Sequence, residues 1–286
     1  MRVSAILNVL ADDPERSYSL SDIARSAGLS LATAHSFINS LVDEGMLARD
    51  STRKRYTLGP TLVRLGRAAE MRRDDVTDSA RVELEEVSAT LGRQIIATRA
   101  VGDYIVVAAK HGDPGLWGMS VQIGQRLPMA PPLGTVFVAW SATDRIRSWL
   151  GAVSAPPSLS ALDRCVEALA AVRTRGWAVS LDVGQNHGRF YTDDGRSALH
   201  SGLTDLLESN YFLNRLDAEN SYSVRQISVP VFDVAGEVTL ALAAMYMGDP
   251  RSGREIADDA GALVDAAGRI TDSIRGRPPT PGARSK

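Results

Sequence analysis

The segment from Ser30 to Glu44 carries small polar side chains that could contact the bases of nucleic acid. Ala34, Ile38 and Leu41 repeat at helical spacing, which predicts a helix with these three residues on its buried face. Hydroxyl, amide and imidazole groups on the outward face can hydrogen-bond to base edges in a major groove, and an alanine methyl can pack on thymine. A solvated helix face that binds nothing explains these residue types equally well. The candidate contact residues are Ala32, Thr33, His35, Ser36, Asn39 and Ser40.

A basic cluster follows this helix directly. It contains six cations and one acid, Asp50. Such cations bind phosphate groups and release counterions, which favours nucleic acid as the partner. A charged turn kept for solubility is the alternative, and it is weakened by the position of the cluster directly after a helical pair. The cations are Arg49, Arg53, Lys54, Arg55, Arg64 and Arg67.

Two short helices joined by a tight turn must position these groups. The segment from Ser19 to Asp22 fits a capping box, in which the Ser19 hydroxyl accepts from the Asp22 amide and the Asp22 carboxylate reaches back. Gly28 tolerates the left-handed turn that ends this helix, and Ser30 caps the next one. This order is typical of a helix-turn-helix.

A small hairpin completes this first domain. The segments 46–49 and 55–58 alternate as strands do, with a polar turn between them. A helix-turn-helix followed by a basic-tipped hairpin predicts a winged helix-turn-helix DNA-binding domain over residues 1–60. The apolar spacing that follows predicts a linker helix over residues 61–78.

The remainder of the chain has the pattern of an α+β domain. Two hairpins at 94–110 and 224–247 and a strand at 119–123 are predicted between amphipathic helices. We expect an antiparallel sheet with flanking helices over residues 79–275. Residues 276–286 are rich in proline, glycine and arginine, and we expect them to form a disordered tail.

Length and composition exclude several classes of protein. The 286 residues, 44% apolar and 23% charged, predict two folded domains. The single cysteine, Cys165, makes no internal disulfide and fits a reducing cytosol, so we expect a cytoplasmic protein. No apolar run approaches the ~20 residues that span a bilayer, which argues against a membrane partner. No P-loop or Gly-x-Ser-x-Gly motif occurs, so we expect neither enzyme activity nor a cofactor.

A metal site is a weak alternative. His187, Asp193, Asp194 and His200 lie within fourteen residues and could gather an ion. Their spacing matches no helical ligand pair, and a polar loop explains them better. We therefore expect no metal.

A ligand pocket is the remaining chemical feature of the second domain. Ser180, Asp182 and Gln226 are the type of small polar set that orients a ligand on an apolar sheet. Met245 and Met247 suit an adaptable pocket, although methionine as a core filler is an equally good interpretation of each.

Five segments occur in a characteristic order between about residues 20 and 250. They are Ser19 to Ala24 with Leu29-Ser30; Tyr56 to Pro60 with Leu65-Gly66; Gly124, Leu127 to Met129 and Gly134; Val172 to Val179; and Gly248 to Pro250. In this order they resemble the IclR family of bacterial transcription regulators.

The resemblance implies a winged-helix DNA-binding domain and a GAF-like effector domain in a homodimer or homotetramer. It implies two partners besides a second copy: double-stranded operator DNA of palindromic sequence and a small organic effector. The implied DNA-binding surface adds Ser19, Ser30 and Tyr56 to the contact residues. The implied effector pocket is lined by Leu116, Met119, Leu133, Gly134, Val224, Gln226, Met245 and Met247, with Ser180 or Asp182 closing it.

The chain also departs from the family pattern. Leu31 and Ser36 stand where members usually carry arginine, so the base contacts must differ. This departure keeps open an alternative, a GAF-type ligand sensor whose winged helix binds a protein. Met245 and Met247 stand where small hydroxyl residues often occur, which predicts a smaller or more apolar pocket.

Overall fold

The computed structural model describes residues 2–11, 13–71, 75–113, 121–153, 157–184 and 196–279. The chain forms two compact units, which divide between the helix that ends at Met71 and the helix that begins at Asp75. Each unit has its own hydrophobic core, as separate domains do.

The described part of the N-terminal unit consists of helices around a small antiparallel sheet with strand order β1-β3-β2. Its elements are α1 (Arg2–Ala11), β1 (Tyr18–Ser19), α2 (Leu20–Ser26), α3 (Leu31–Asp43), β2 (Leu47–Asp50), β3 (Arg55–Leu58) and α4 (Pro60–Met71). Ile6, Ile23 and Ile38 come from three different helices and are fully buried together. Leu47 and Tyr56 from the sheet complete this core. The apolar spacing of each helix therefore determines which of its faces is outward.

The helix-turn-helix is held by the predicted caps. The Ser19 hydroxyl accepts a hydrogen bond from the Asp22 amide at 3.2 Å, and the Asp22 carboxylate accepts one from the Ser19 amide at 3.3 Å. Gly28 follows α2 with a φ of +64°. The Ser30 hydroxyl then accepts from the Thr33 amide at 3.2 Å, which starts α3. The predicted capping box and helix-turn-helix are confirmed.

Replacing Ser19 by alanine should lower the free energy of unfolding of the N-terminal unit by about 1 kcal/mol at neutral pH, because a helix cap is lost. Hydrogen bonds from Ser19 lower the pKa of Asp22 below its ordinary 3.8. The carboxylate therefore stabilises the fold above pH 3.8, and this contribution disappears as the pH falls through the lowered pKa. The difference in the free energy of unfolding between the wild-type protein and the Ser19→Ala variant should therefore become smaller at pH values below 3.8.

Urea unfolding followed by circular dichroism measures the free energy of unfolding at each pH. Ser26→Ala, which changes an exposed serine of the same helix, is the control. Equal losses of stability in the Ser19→Ala and Ser26→Ala variants would contradict the cap.

The C-terminal unit is built on one antiparallel sheet with the order β10-β8-β9-β4-β5-β6, and β7 pairs with the free side of β8. Helices flank it, so the predicted α+β class and antiparallel sheet are confirmed. Its elements are α5 (Asp75–Leu91), β4 (Ile95–Val101), β5 (Tyr104–His111), β6 (Arg126–Pro128), α6 (Thr135–Val138), α7 (Thr143–Leu150), α8 (Leu159–Arg175), β7 (Ala178–Leu181), α9 (Arg196–Glu208), β8 (Ser221–Phe232), β9 (Val238–Met245), β10 (Pro250–Ser252) and α10 (Gly253–Ser273).

The two faces of this sheet have different roles. Side chains alternate between faces along a strand. Ile95 and Ala244, which are cross-strand partners, lie in the main core with α5 and α10. Ile96 and Ala243 are also partners, and they line a cavity instead. The sheet therefore provides the floor of that cavity.

One strand differs from the sequence-based expectation. The strand predicted at 119–123 is wrong in its described part, because the strand that pairs with β5 is Arg126–Pro128 and residues 114–120 lie outside the described residues. In the predicted tail, residues 276–279 form no helix or strand, and the Arg277 amide donates to the Asp233 carbonyl at 3.1 Å. Residues 280–286 lie outside the described residues.

Among the helices that the structure describes, none has the length and apolar character needed to cross a membrane.

Candidate functional site

The outward face of α3 carries no lysine or arginine, and its one acidic residue, Asp43, is the last residue of the helix. Its apolar residues Ala34, Ile38 and Leu41 are buried as predicted. Thr33 is partly buried, and its hydroxyl lies 2.8 Å from that of Ser30, so both belong to the helix cap. The predicted contact residues that are exposed on α3 are Ala32, His35, Ser36, Asn39 and Ser40.

Exposed cations stand on the hairpin that follows α3, between β2 and β3. Arg53 and Lys54 lie in its turn and are exposed, as is Arg49 on β2. The Asp50 carboxylate accepts from the amides of Arg53 at 3.0 Å and Thr52 at 2.9 Å, which holds the turn in shape. The hydrogen bond from the Arg53 amide, and to a smaller extent that from the Thr52 amide, lowers the pKa of Asp50. The turn therefore presents its cations on a defined loop.

Three residues that were predicted to contact DNA are buried or form hydrogen bonds within the N-terminal unit. Tyr56 is 4% exposed and lies in the core. The Arg55 guanidinium donates to the Ser17 carbonyl, and Arg55 is partly buried. The Ser19 hydroxyl donates to the Asp22 carboxylate at 2.8 Å. The pairing of β1 with β3 explains the burial of Tyr56, and a two-residue strand gives no periodic signal in the sequence.

The C-terminal unit contains a cavity of about 930 Å³, including its mouth, against the face of the sheet described above. Strands β4, β7, β8 and β9 contribute to its wall, together with the segment at the start of α6, part of α8 and the aromatic pair Tyr211–Phe212. A mostly apolar wall with a few polar groups is typical of a small-molecule site.

The cavity brings together some of the predicted effector-binding residues. Leu133, Gly134, Ser180 and Gln226 line it. Ser180 and Gln226 face each other across β7 and β8. Leu116 and Met119 lie outside the described residues.

The other predicted effector-binding residues do not line the cavity. Val224 is fully buried in the main core on the opposite face of the sheet. Met245 and Met247 pack in a separate cluster with Ile96 and Ala243. The Asp182 carboxylate accepts from the Gly184 amide at 2.9 Å. The methionines that predicted a smaller or more apolar pocket therefore contribute no wall to this cavity.

Gly134 has a conformation that other residues rarely adopt. Its φ is +82°, and a Cβ at this position would contact the Met129 sulfur and approach the Ile105 side chain to 3.4 Å. Only glycine fits here without displacing the wall of the cavity.

Two arginines in the wall were missed by sequence reasoning. Arg225 is 7% exposed and lines the cavity. In the pairing of β7 with β8, Ser180 opposes Gln226 while Leu181 opposes Val224, so Arg225 is the extra residue of a β-bulge. Bulges re-aim side chains and are common beside functional sites. Because a bulge breaks the alternation of the strand, the sequence pattern gives no sign that Arg225 reaches this wall.

Arg175 is the second of these arginines. Its Nε donates to the Trp177 carbonyl at 2.7 Å, its Nη1 donates to the Leu213 carbonyl at 2.8 Å, and its guanidinium lies 4.4 Å from the Trp177 ring centre. Burial lowers its pKa to about 10, so it stays charged at neutral pH. No carboxylate in the described part of the chain pairs with it.

The cavity wall is therefore positively charged. Among the described residues that line it, two are arginines and none is Asp, Glu, Lys or His. Arginine side chains in a mostly apolar cavity wall are suited to binding an anionic ligand.

Two candidates for chemistry remain, the thiol of Cys165 and the group of histidines and aspartates between His187 and His200. Cys165 is fully buried, and burial raises the pKa of its thiol to about 12, so it is not a nucleophile. His187, Asp193 and Asp194, and the side chain of His200, lie outside the described residues. Within the residues that are described, no group of three or more His, Cys, Asp or Glu side chains could hold a metal ion.

Known proteins share both the sequence of the N-terminal unit and the fold of the chain. Residues 1–51 match the IclR helix-turn-helix domain. The N-terminal unit is therefore similar to the helix-turn-helix domain of IclR proteins. A glycerol operon regulatory protein of Streptomyces coelicolor is 46% identical to this chain over 65 residues, which is 23% of this chain and 25% of that protein. The HTH-type transcriptional regulator KdgR of Escherichia coli is 24% identical over 247 residues, which is 86% of this chain and 81% of that protein.

Solved structures extend the likeness to both units. An IclR transcriptional regulator from Alicyclobacillus acidocaldarius has a TM-score of 0.65 at 22% identity, with 95% of this chain and 96% of that chain covered. An IclR homologue from Microbacterium hydrocarbonoxydans, solved with 4-hydroxybenzoate, has a TM-score of 0.60 at 17% identity, with 96% and 99% covered. The chain therefore has the fold of IclR regulators, and the resemblance stated from its sequence is confirmed.

Proposed function

We propose that this IclR-type protein is a transcription regulator that binds operator DNA, and that a small anionic effector lowers or raises its affinity for the operator. One observation supports DNA binding most directly. The exposed face of α3 lies within residues 1–51, which match the IclR helix-turn-helix domain, and the exposed cations Arg53 and Lys54 follow just after them. Base-reading groups beside phosphate-binding groups are the two components that sequence-specific binding requires.

In this proposal α3 enters the major groove and the hairpin cations bind backbone phosphate or the minor groove. The protein acts as a homodimer or homotetramer, because two-fold symmetric subunits place two recognition helices on inverted half-sites. The operator is then palindromic. Since the target is the chromosome, the protein works in the cytoplasm.

The cavity of the C-terminal unit is the effector site in this proposal. Its mostly apolar wall with a few polar groups suits a small organic molecule, and this wall carries the charges of Arg175 and Arg225. The fold neighbour that was solved with 4-hydroxybenzoate holds an organic acid, which supports an anion here as well. A small carboxylate is the ligand class that these observations favour.

Regulation follows if the effector binds the DNA-bound and free states with different affinity. By linkage, DNA must then change the effector affinity by the same factor. A typical coupling of ~1–3 kcal/mol corresponds to roughly a 5- to 150-fold change in operator affinity.

The alternative, a ligand sensor whose winged helix binds a protein, is favoured by one observation, because α3 carries no lysine or arginine. A selection from a random duplex pool with the full-length protein separates the two functions. The regulator proposal expects an enriched palindromic sequence whose binding weakens steeply with salt. No enrichment, with binding flat in salt, would overturn it in favour of a protein partner.

A further inference from the structure

We infer that α3 reads thymine methyl groups through the exposed carbon surface of Leu31 and Ala32. This inference rests on the proposed DNA binding and specifies its sequence preference. Leu31 is the first residue of α3, and its side chain is 57% exposed although it is a large apolar group. Ala32 beside it is exposed as well. The N-terminal turn of a recognition helix is the part that contacts base edges most often.

α3 lacks the positively charged side chains that usually recognise guanine. The commonest specific contact in the major groove is a bidentate bond from arginine or lysine to guanine O6 and N7. No residue from Leu31 to Asp43 is an arginine or a lysine. Arg25 at the end of α2 pairs with Asp22 at 2.8 Å. Base reading by α3 must therefore use uncharged groups.

The first turn of α3 presents apolar side chains to a base, because its hydroxyl groups already form hydrogen bonds within the helix cap. The Ser30 and Thr33 hydroxyls lie 2.8 Å apart, and the Ser30 hydroxyl accepts from the Thr33 amide. The side chains left free at this end are those of Leu31 and Ala32. In the major groove the only large apolar feature of any base is the C5 methyl of thymine. Contact between this methyl group and the side chains of Leu31 and Ala32 removes both apolar surfaces from water, which stabilises the complex.

The next turns of α3 complete a reading edge. Leu31, His35 and Asn39 are spaced by four residues, so they form one row along the helix. The Asn39 amide lies 3.4 Å from the His35 ring. An asparagine amide is suited to adenine N6 and N7, and histidine can donate to or accept from a base edge. The row therefore predicts a half-site in which thymine precedes or follows an adenine.

The test is a scan of the selected duplex in which each thymine is replaced in turn by deoxyuridine, which removes the C5 methyl and keeps every hydrogen-bonding group. We expect at least one thymine in each half-site whose replacement weakens binding about fourfold, the effect of one buried methyl group. Leu31→Ala should weaken binding to the thymine duplex and lose the distinction between thymine and uracil at that position. Leu159→Ala, which removes a side chain 81% exposed in the other unit, is the matched control and should change neither.

A scan in which no replacement alters the affinity would overturn the inference while leaving DNA binding intact. Retained discrimination by a folded Leu31→Ala protein would overturn the role of Leu31. As an independent check, Leu31→Arg should shift the selected sequence toward guanine at the same position, and an unshifted selection would count against the placement of this residue. Failure of any duplex to be enriched would instead remove the proposed function itself, so the two failures are distinguishable.

Discussion

Replacing Arg53 and Lys54 together by alanine should weaken binding to every duplex, selected or scrambled, by roughly 50-fold at about 0.1 M salt. Both side chains are exposed in the turn between β2 and β3. Each cation that neutralises a phosphate contributes about 0.9 to the slope of log K against log salt. The double variant should therefore lower that slope by about 2, with the ranking of sequences unchanged.

Arg55→Ala is the matched control for this experiment. It removes a charge of the same sign from the same hairpin, but Arg55 is partly buried and its guanidinium donates to the Ser17 carbonyl. We expect a loss of stability with little change in the salt slope. A double variant that keeps the wild-type slope would place the hairpin outside the DNA interface.

Replacing Arg225 by methionine should weaken the binding of a carboxylate effector by roughly 10- to 100-fold and leave operator affinity without effector unchanged. Methionine keeps most of the volume of the side chain and removes its charge, and hydrogen bonds to a charged group are worth ~1.5–3 kcal/mol. Arg175→Met should have an effect of the same sign. Because the pKa of Arg175 is lowered only to about 10, binding should be insensitive to its titration below that pH.

Calorimetry measures the affinity of the wild-type and variant proteins for a panel of small aromatic and aliphatic acids, which includes 4-hydroxybenzoate. Each acid is compared with its neutral amide. The acids should bind more tightly than their amides, and the arginine variants should remove that preference. Arg215→Met, on the exposed surface of the same unit, is the control and should keep it. An amide that binds as tightly as its acid to the wild-type protein would contradict an anionic effector.

The sequence predicted the elements that are fixed by local interactions. The capping box at Ser19, the turn at Gly28 and the cap at Ser30 depend on residues within four positions of each other, and all three are present. The hairpins of the C-terminal sheet were also predictable, because apolar alternation and turn residues are local signals. The predicted third strand was wrong because a strand as short as Arg126–Pro128 is defined by its partner β5 and not by its own pattern.

The candidate sites were predictable only where side-chain direction follows the regular period. The outward face of α3 follows from helical spacing, and four of the predicted pocket residues face one cavity. Tyr56 is buried by a pairing with β1 that carries no periodic signal. Arg225 reaches the cavity through a bulge, and Met245 packs against Ala243 and Ile96 without lining the cavity itself. These placements depend on tertiary packing, which a single sequence does not encode locally.

Sequence-specific DNA binding is tested most directly by titrating the full-length protein against two labelled duplexes of equal length, the selected sequence and a scrambled one, across a range of salt concentrations. We expect the selected duplex to bind at least ~10³-fold more tightly near physiological salt, with both affinities falling steeply as salt rises. Equal affinity for the two duplexes at every salt concentration would contradict the reading of bases by α3 and leave this winged helix without a sequence-specific role.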